Sequence, residues 1–203
     1  RPDLLTAARD APARQRTLTA VIEWSWNLLD AAERRALARL ALLADGFTLV
    51  PAEALIGGQA ADLLDALVSH SLLVVRDHGL PRFHMLVTVR DFALEQLSAC
   101  GDEAEARAAL HRWAVDLCSQ IRFPVEAGDF GDVSHPESRH HDRLFRQVAH
   151  DEAVILQQLD RLLAQADGHG TDRLPADLRD DICLIGAALM RLWSVTWSYE
   201  RIA

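Results

Sequence analysis

The chain contains no lysine; all 21 of its basic Lys+Arg positions are arginine. A G-x-x-x-x-G-K-[ST] phosphate loop places its lysine ammonium on the β- and γ-phosphates, so these 203 residues hold no such loop. The motifs G-x-S-x-G, H-E-x-x-H and G-x-G-x-x-G are missing too. The residues show no catalytic centre, and no enzyme activity is expected of them. Cysteine is scarce. Cys100, Cys118 and Cys183 are odd in number and far apart, which excludes a disulfide framework and a C-x-x-C metal pair. They read as reduced, structural thiols of a cytoplasmic protein. No apolar run approaches the ~20 residues of a membrane helix, and no basic-then-apolar leader opens the chain. A cytoplasmic location with no membrane partner is therefore expected. The start at Arg1-Pro2-Asp3, without Met, and the apolar helical end suggest a piece of a longer protein.

Half the residues are apolar and a quarter charged, as in an ordinary globular protein with a real core. The net charge of −9 is uneven: 10 Arg face 12 carboxylates in residues 1–100 (−2), and 11 face 18 thereafter (−7). An acidic chain is a poor first candidate for a DNA-binding surface, because phosphate contacts supply most non-specific affinity.

Nearly everything has helical period. Leu18, Val21, Ile22, Leu28 and Leu29 lie near one stripe. Asp30 with Glu33 forms a capping-box pattern ahead of Leu37, Leu40 and Ala41, in a segment running to about Gly46. Pro51 suits the first turn of a short helix through Ile56, which Gly57-Gly58 stops. Another helix starts at Ala60 with Leu63, Leu64, Leu67 and Val68. The period then changes. Leu72 to Val75 is short and β-favouring, Asp77-His78-Gly79 is turn chemistry, and Arg82 to Met85 returns as a second strand. Thr88 and Asp91 repeat the helix-start pattern. Val89, Phe92, Ala93, Gln96 and Leu97 then share a face that Gly101 closes. This order predicts a mainly α fold: a winged helix, meaning a helix-turn-helix with a small β-hairpin, over residues 17–100.

Residues 101–203 read as a helical domain. Leu110, Trp113, Ala114, Leu117, Cys118 and Ile121 hold strict helical spacing. Residues 123–142, with Pro124, Gly128, Gly131 and Pro136, read as a loop. Ile155, Leu156, Leu159, Leu162 and Leu163 rebuild a helix that residues 168–171 break. Pro175 starts the last one, with Ile182, Ile185, Leu189, Leu192 and Trp193 on its apolar face. Paired helices of this kind stack as repeats in solenoids.

Three stretches carry a family resemblance. The first is Ala13-Arg14-Gln15-Arg16-Thr17-Leu18 with Ile22-Glu23-Trp24-Ser25-Trp26 and Leu28-Leu29-Asp30. Leu40-Ala41 and Gly46-Phe47-Thr48-Leu49 continue it. The third runs from Leu67-Val68 and Ser71-Leu72-Leu73 to Phe83-His84-Met85-Leu86 and Thr88-Val89-Arg90-Asp91-Phe92-Ala93. Together they resemble the winged-helix region after the ATPase domain in STAND/NB-ARC-type bacterial transcriptional regulators, both AfsR-like (SARP) and large LuxR-like. Ala187-Ala188-Leu189 with Leu192-Trp193 is similar to the start of that family's TPR-like repeats. The resemblance implies a linker from the ATPase domain at 1–16 and a winged helix that packs on that nucleotide-binding domain. It implies repeats that receive a protein or small-molecule signal, and DNA bound through another domain. ATP or ADP would belong to the parent protein, with no cofactor in this segment.

The same resemblance directs attention to the edge from His84 to Arg90 as the nucleotide-facing side. Many relatives place a His after the Met that ends the second wing strand; here Leu86 stands there, and leucine donates nothing to a phosphate. His84, two positions earlier, and Arg90 are the candidate cofactor-binding residues, with pairing of Arg90 to a carboxylate as the alternative. Trp197 stands where the family often has Gly. The cluster His135, Glu137, His140, His141 and Asp142 suits zinc or nickel chemically, but its spacing matches no structural site, and a polar loop without metal is expected. Trp24, Trp26, Trp113, Trp193 and Trp197 sit in apolar helical patterns that favour core packing over ligand stacking. The alternative function is a DNA-binding winged-helix transcription factor domain. Its groove-facing helix would be 60–70, whose polar residues Asp62, Asp65, Ser69 and His70 include no arginine.

Overall fold

A computed structural model describes residues 19–44, 46–77, 81–121, 136–168 and 174–200. The expected linker at 1–16 lies outside them, as do His78 and Gly79 of the expected turn. The described residues form nine helices and one two-stranded antiparallel sheet, so the mainly α expectation holds. The chain divides into two compact units between Ala106 and Arg107.

The first unit contains α1 (19–28), α2 (Ala31–Leu40), α3 (Leu49–Ile56), α4 (Ala60–Ser69), β1 (Leu73–Asp77), β2 (Pro81–Met85) and α5 (Val87–Ala99). It ends in the first turn of α6 (Glu103–Ser119). This is the helix, hairpin, helix order of a winged helix. The start of α2 is a complete capping box. Asp30 accepts from the Ala32 and Glu33 amides at 2.7 and 2.9 Å, and Glu33 accepts from the Asp30 amide at 2.8 Å. Such a cap satisfies amides that have no partner inside the helix and is worth about 1 kcal/mol. Leu37 and Leu40 of α2 are fully buried, and α2 packs on α3, α4 and α5. Leu55, Leu64 and Leu67 complete that core, with Val89, Ala93 and Leu97 from α5.

The hairpin is in register Leu73↔Met85, Val74↔His84, Val75↔Phe83 and Arg76↔Arg82. A third segment joins it at one point. Phe47 and Phe83 exchange both backbone hydrogen bonds, at 3.0 and 2.8 Å, and their rings stack with centroids 5.9 Å apart.

The second unit is built by α6, α7 (Pro136–His150), α8 (Glu152–Asp167) and α9 (Ala176–Glu200). Ala114, Leu117 and Cys118 of α6 meet Val148 of α7, Ile155 and Leu162 of α8, and Ile185, Ala188, Leu189 and Leu192 of α9 in one apolar cluster.

Three expectations need correction. The α1 stripe is split: Ile22 and Leu29 are buried, but Val21 and Leu28 are exposed. Apolar residues occupy two overlapping faces, so period alone could not choose between them. Helix α5 begins at Val87 with Leu86 as its N-cap, without a side-chain cap, so Thr88 lies inside the helix. Leu86 is extended (φ −62°, ψ 142°), and its carbonyl already accepts from the Arg90 amide at 2.9 Å. Helix α7 begins at Pro136, within the stretch expected to be loop. A proline fits the first helical turn as well as it fits a loop.

Candidate functional site

The wing edge is set by the hairpin register. Residues directly opposite each other share a face, so Val74, Arg76, Arg82 and His84 lie on one side and Leu73, Val75, Phe83 and Met85 on the other. His84 is half-buried, with its ring over Gly46. A Cβ at position 46 would lie 2.7 Å from His84 Nδ1 and 2.9 Å from Nε2, inside contact distance. Gly46 also has φ +85°, a conformation that other residues enter only with strain. Beside it, Arg82 Nη2 donates to the Gly46 carbonyl at 2.9 Å.

Arg90 is half-buried and donates from Nε to the Ala41 carbonyl at 2.9 Å. That carbonyl stands at the C-terminal end of α2. A cation suits the negative end of a helix dipole. The structure thus gives the two predicted residues related work: Arg90 holds the beginning of the connection from α2 to Phe47, and His84 packs on its end. Between them in sequence, Leu86 and Val87 are largely exposed. The edge offers solvent two apolar side chains.

The second candidate surface is α4, the helix that would enter a DNA groove. Ala60, Leu64 and Leu67 face the core, and Ala61, Asp62, Asp65 and Ser69 form the exposed stripe. Ser69 Oγ donates back to the Asp65 carbonyl at 2.9 Å. Glu53 of α3 is exposed as well, and residues 49–69 contain no arginine. Carboxylates here repel phosphates, so this face lacks the charge that non-specific DNA affinity requires. On the wing, Arg76 is exposed.

Arg34 and Arg39 act inside the fold, whereas Arg35 of α2 is exposed. Arg34 donates to the carbonyls of Trp26 and Asn27, both at 3.0 Å, closing the end of α1. Arg39 forms a bidentate pair with Asp102 at 2.6 and 2.7 Å and donates to the Leu55 carbonyl at 3.0 Å. The guanidinium holds the Asp102 carboxyl below the usual carboxylate range, chiefly by hydrogen bonding, and Asp102 holds the Arg39 pKa above its usual value. This pair ties the residue just before α6 to α2.

In the second unit, His111 Nε2 lies 2.9 Å from Asp181 Oδ2, and Trp193 Nε1 donates to Glu152 at 2.6 Å. Burial pushes the Cys118 thiol up to about 12, which makes it a core group and not a thiolate nucleophile. Among the described residues, no group of three His, Cys, Asp or Glu side chains is placed to hold a metal ion. The expected cluster lies outside them: His135 is not described, nor are the side chains at 136–142. The tryptophans diverge. Trp26 packs edge-on against Phe92 with centroids 5.5 Å apart, and Trp113 is half-buried against the second core. Trp193 and, more strongly, Trp24 are exposed, against the expectation of core packing. The Trp197 side chain lies outside the described set.

Comparison with known proteins agrees with this architecture. Residues 29–98 match the family model of the winged helix-turn-helix domain. A Mycobacterium tuberculosis (strain ATCC 25618 / H37Rv) protein that carries the name of a proposed HTH-type transcriptional regulator is 35% identical over 130 residues. That alignment covers 61% of this chain and 15% of the relative. An uncharacterized protein of Mycobacterium bovis (strain ATCC BAA-935 / AF2122/97) is 36% identical over 133 residues, 62% of this chain and 33% of its own. The chain thus spans about 15% of the regulator's length. No solved structure matches the chain. Among the described residues, no helix is long and apolar enough to cross a membrane.

Proposed function

We propose that this chain is a regulatory and interaction module of a STAND-class transcriptional regulator. In this reading its winged helix packs on a nucleotide-binding domain of the same polypeptide, and its second unit begins a TPR-like scaffold that receives a signal. The observation that carries the reading is the exposed stripe of α4. A fold that commonly reads DNA here turns Asp62 and Asp65 outward with no basic neighbour on the helix, which suits contact with protein and not with a phosphate backbone. The family resemblance and the name of the M. tuberculosis relative support a transcriptional setting. The segment itself performs no catalysis; ATP or ADP would be held by the neighbouring domain and act as a two-state switch. DNA would be contacted by another part of the protein, which is cytoplasmic.

A second reading, a DNA-binding winged helix, draws on the match of residues 29–98 to the winged helix-turn-helix family. Two measurements separate the readings. The complete gene is expected to encode a phosphate loop and a magnesium-binding aspartate within about 300 residues upstream of Arg1. Fluorescence anisotropy of the 203-residue chain with duplex DNA is expected to show no tight binding at low salt. Binding that falls steeply with salt, together with no phosphate loop in the gene, would replace the first reading by the second.

A further inference from the structure

An apolar stripe stands exposed on α1. Val21 is 54% exposed, Trp24 65% and Leu28 53%. Steps of three and four residues put them on one stripe of the helix. The rotation of α1 is fixed from the other side. Ile22 and Leu29 are buried, Trp26 sits against Phe92, and Arg34 holds the Trp26 and Asn27 carbonyls. The exposed stripe is therefore what remains after the helix has made its core contacts.

The chemistry and size of the stripe select its occupant. Residues 19–28 carry Glu23 and no arginine, so nothing on the helix attracts nucleic acid or an anionic membrane. The three side chains offer on the order of 300 Å² of apolar surface, against about 800 Å² per partner in a stable free-standing interface. A patch this small holds a partner only if the partner is tethered, when effective concentrations reach about the millimolar range. The M. tuberculosis relative has most of its length outside the segment it shares with this chain. We infer that Val21, Trp24 and Leu28 form the seam by which this module docks into an apolar groove on a neighbouring domain of its own polypeptide. The inference rests on the proposal that the chain is one module of a larger regulator, and adds to it the surface that makes the contact.

The test is hydrogen exchange of the 19–28 amides in the complete polypeptide and in the isolated 203-residue chain. Exchange is expected to be about tenfold slower in the complete polypeptide. Trp24→Glu is expected to abolish that protection and Trp24→Phe to retain it. Because Trp24 is exposed, Trp24→Glu leaves the thermal midpoint of the isolated chain unchanged, so lost protection reports undocking and not unfolding. Equal exchange in both proteins, or protection that survives Trp24→Glu, overturns the seam even where a phosphate loop upstream upholds the regulator reading. Protection by a neighbouring domain without a phosphate loop upholds the seam and removes the STAND reading. A gene encoding no further domain overturns both. A dimer of the isolated chain that Trp24→Glu dissolves overturns tethered docking and assigns the stripe to a second copy.

Discussion

The two units are held together by different means. The winged-helix unit is pinned at named points: the Asp30–Glu33 cap, Arg39 on Asp102 and Leu55, Arg82 on Gly46, Arg90 on Ala41, and the Phe47–Phe83 bridge. The helical unit has a continuous apolar cluster from four helices, with polar contacts such as Gln147 to the buried Asp151, His111–Asp181 and Trp193–Glu152 beside it. Directional bonds to carbonyls and carboxylates fix one geometry, whereas apolar stripes fix the burial and leave the angles to packing. The first unit is therefore expected to respond most to the loss of single polar groups such as Asp102, and the second most to the loss of side-chain volume in its apolar cluster.

The largest expected effect tests the apolar side. Leu189 is 1% exposed, and Leu189→Ala should cost about 2–5 kcal/mol in urea denaturation, with faster hydrogen exchange in α8 and α9. A loss below about 1 kcal/mol would mean that the second core is loosely packed and the contrast is overdrawn. Next comes Asp102→Asn, which leaves Arg39 facing a neutral amide and should cost about 2–3 kcal/mol at neutral pH. The Asp102 carboxyl is held below its ordinary value, so its contribution is present above the unfolded carboxylate range of about 4. It is lost as pH falls through the lower, folded value. The wild-type chain should lose this increment on acidification, and Asp102→Asn should flatten that part of the profile; an unchanged profile would separate the pair from acid sensitivity.

Gly46→Ala should cost about 1–3 kcal/mol, combining positive-φ strain with displacement of the His84 ring. His84→Ala in the same chain should return part of it, so a fully additive double mutant would deny the contact. The smallest effect belongs to the second unit: Trp193→Phe removes an exposed hydrogen bond to Glu152 and should cost under about 1 kcal/mol. A cost matching that of Asp102→Asn would erase the distinction between the units.

This contrast also explains what the sequence disclosed. The capping box at Asp30, the glycine that ends α3 and the hairpin all announce themselves within a few neighbouring residues, and all are found. Arg39 and Asp102 lie 63 residues apart and Arg90 and Ala41 lie 49 apart, so no local pattern could pair them. His84 was legible as a wing residue, but its position on Gly46 depends on a turn whose course only the folded chain reveals. The acidity of α4 was plain, because the repeat of Leu64 and Leu67 already turns Asp62 and Asp65 outward. Trp24 and Trp26 were indistinguishable as apolar helix residues; only the packing of Phe92 decides which one is covered.

The Phe47–Phe83 bridge has a consequence for how the first unit assembles. It closes a loop that contains α3, α4 and β1, and closing a loop of that length costs about 3 kcal/mol of chain entropy. One pair of backbone hydrogen bonds and one ring stack return that only when the helices inside the loop are already packed on α2. The bridge is therefore expected to form as a latch late in folding, and pulsed hydrogen exchange that protects the Phe47 and Phe83 amides before those of α3 and α4 would overturn this. Once it is shut, α3, α4 and the wing are expected to exchange their amides as one unit.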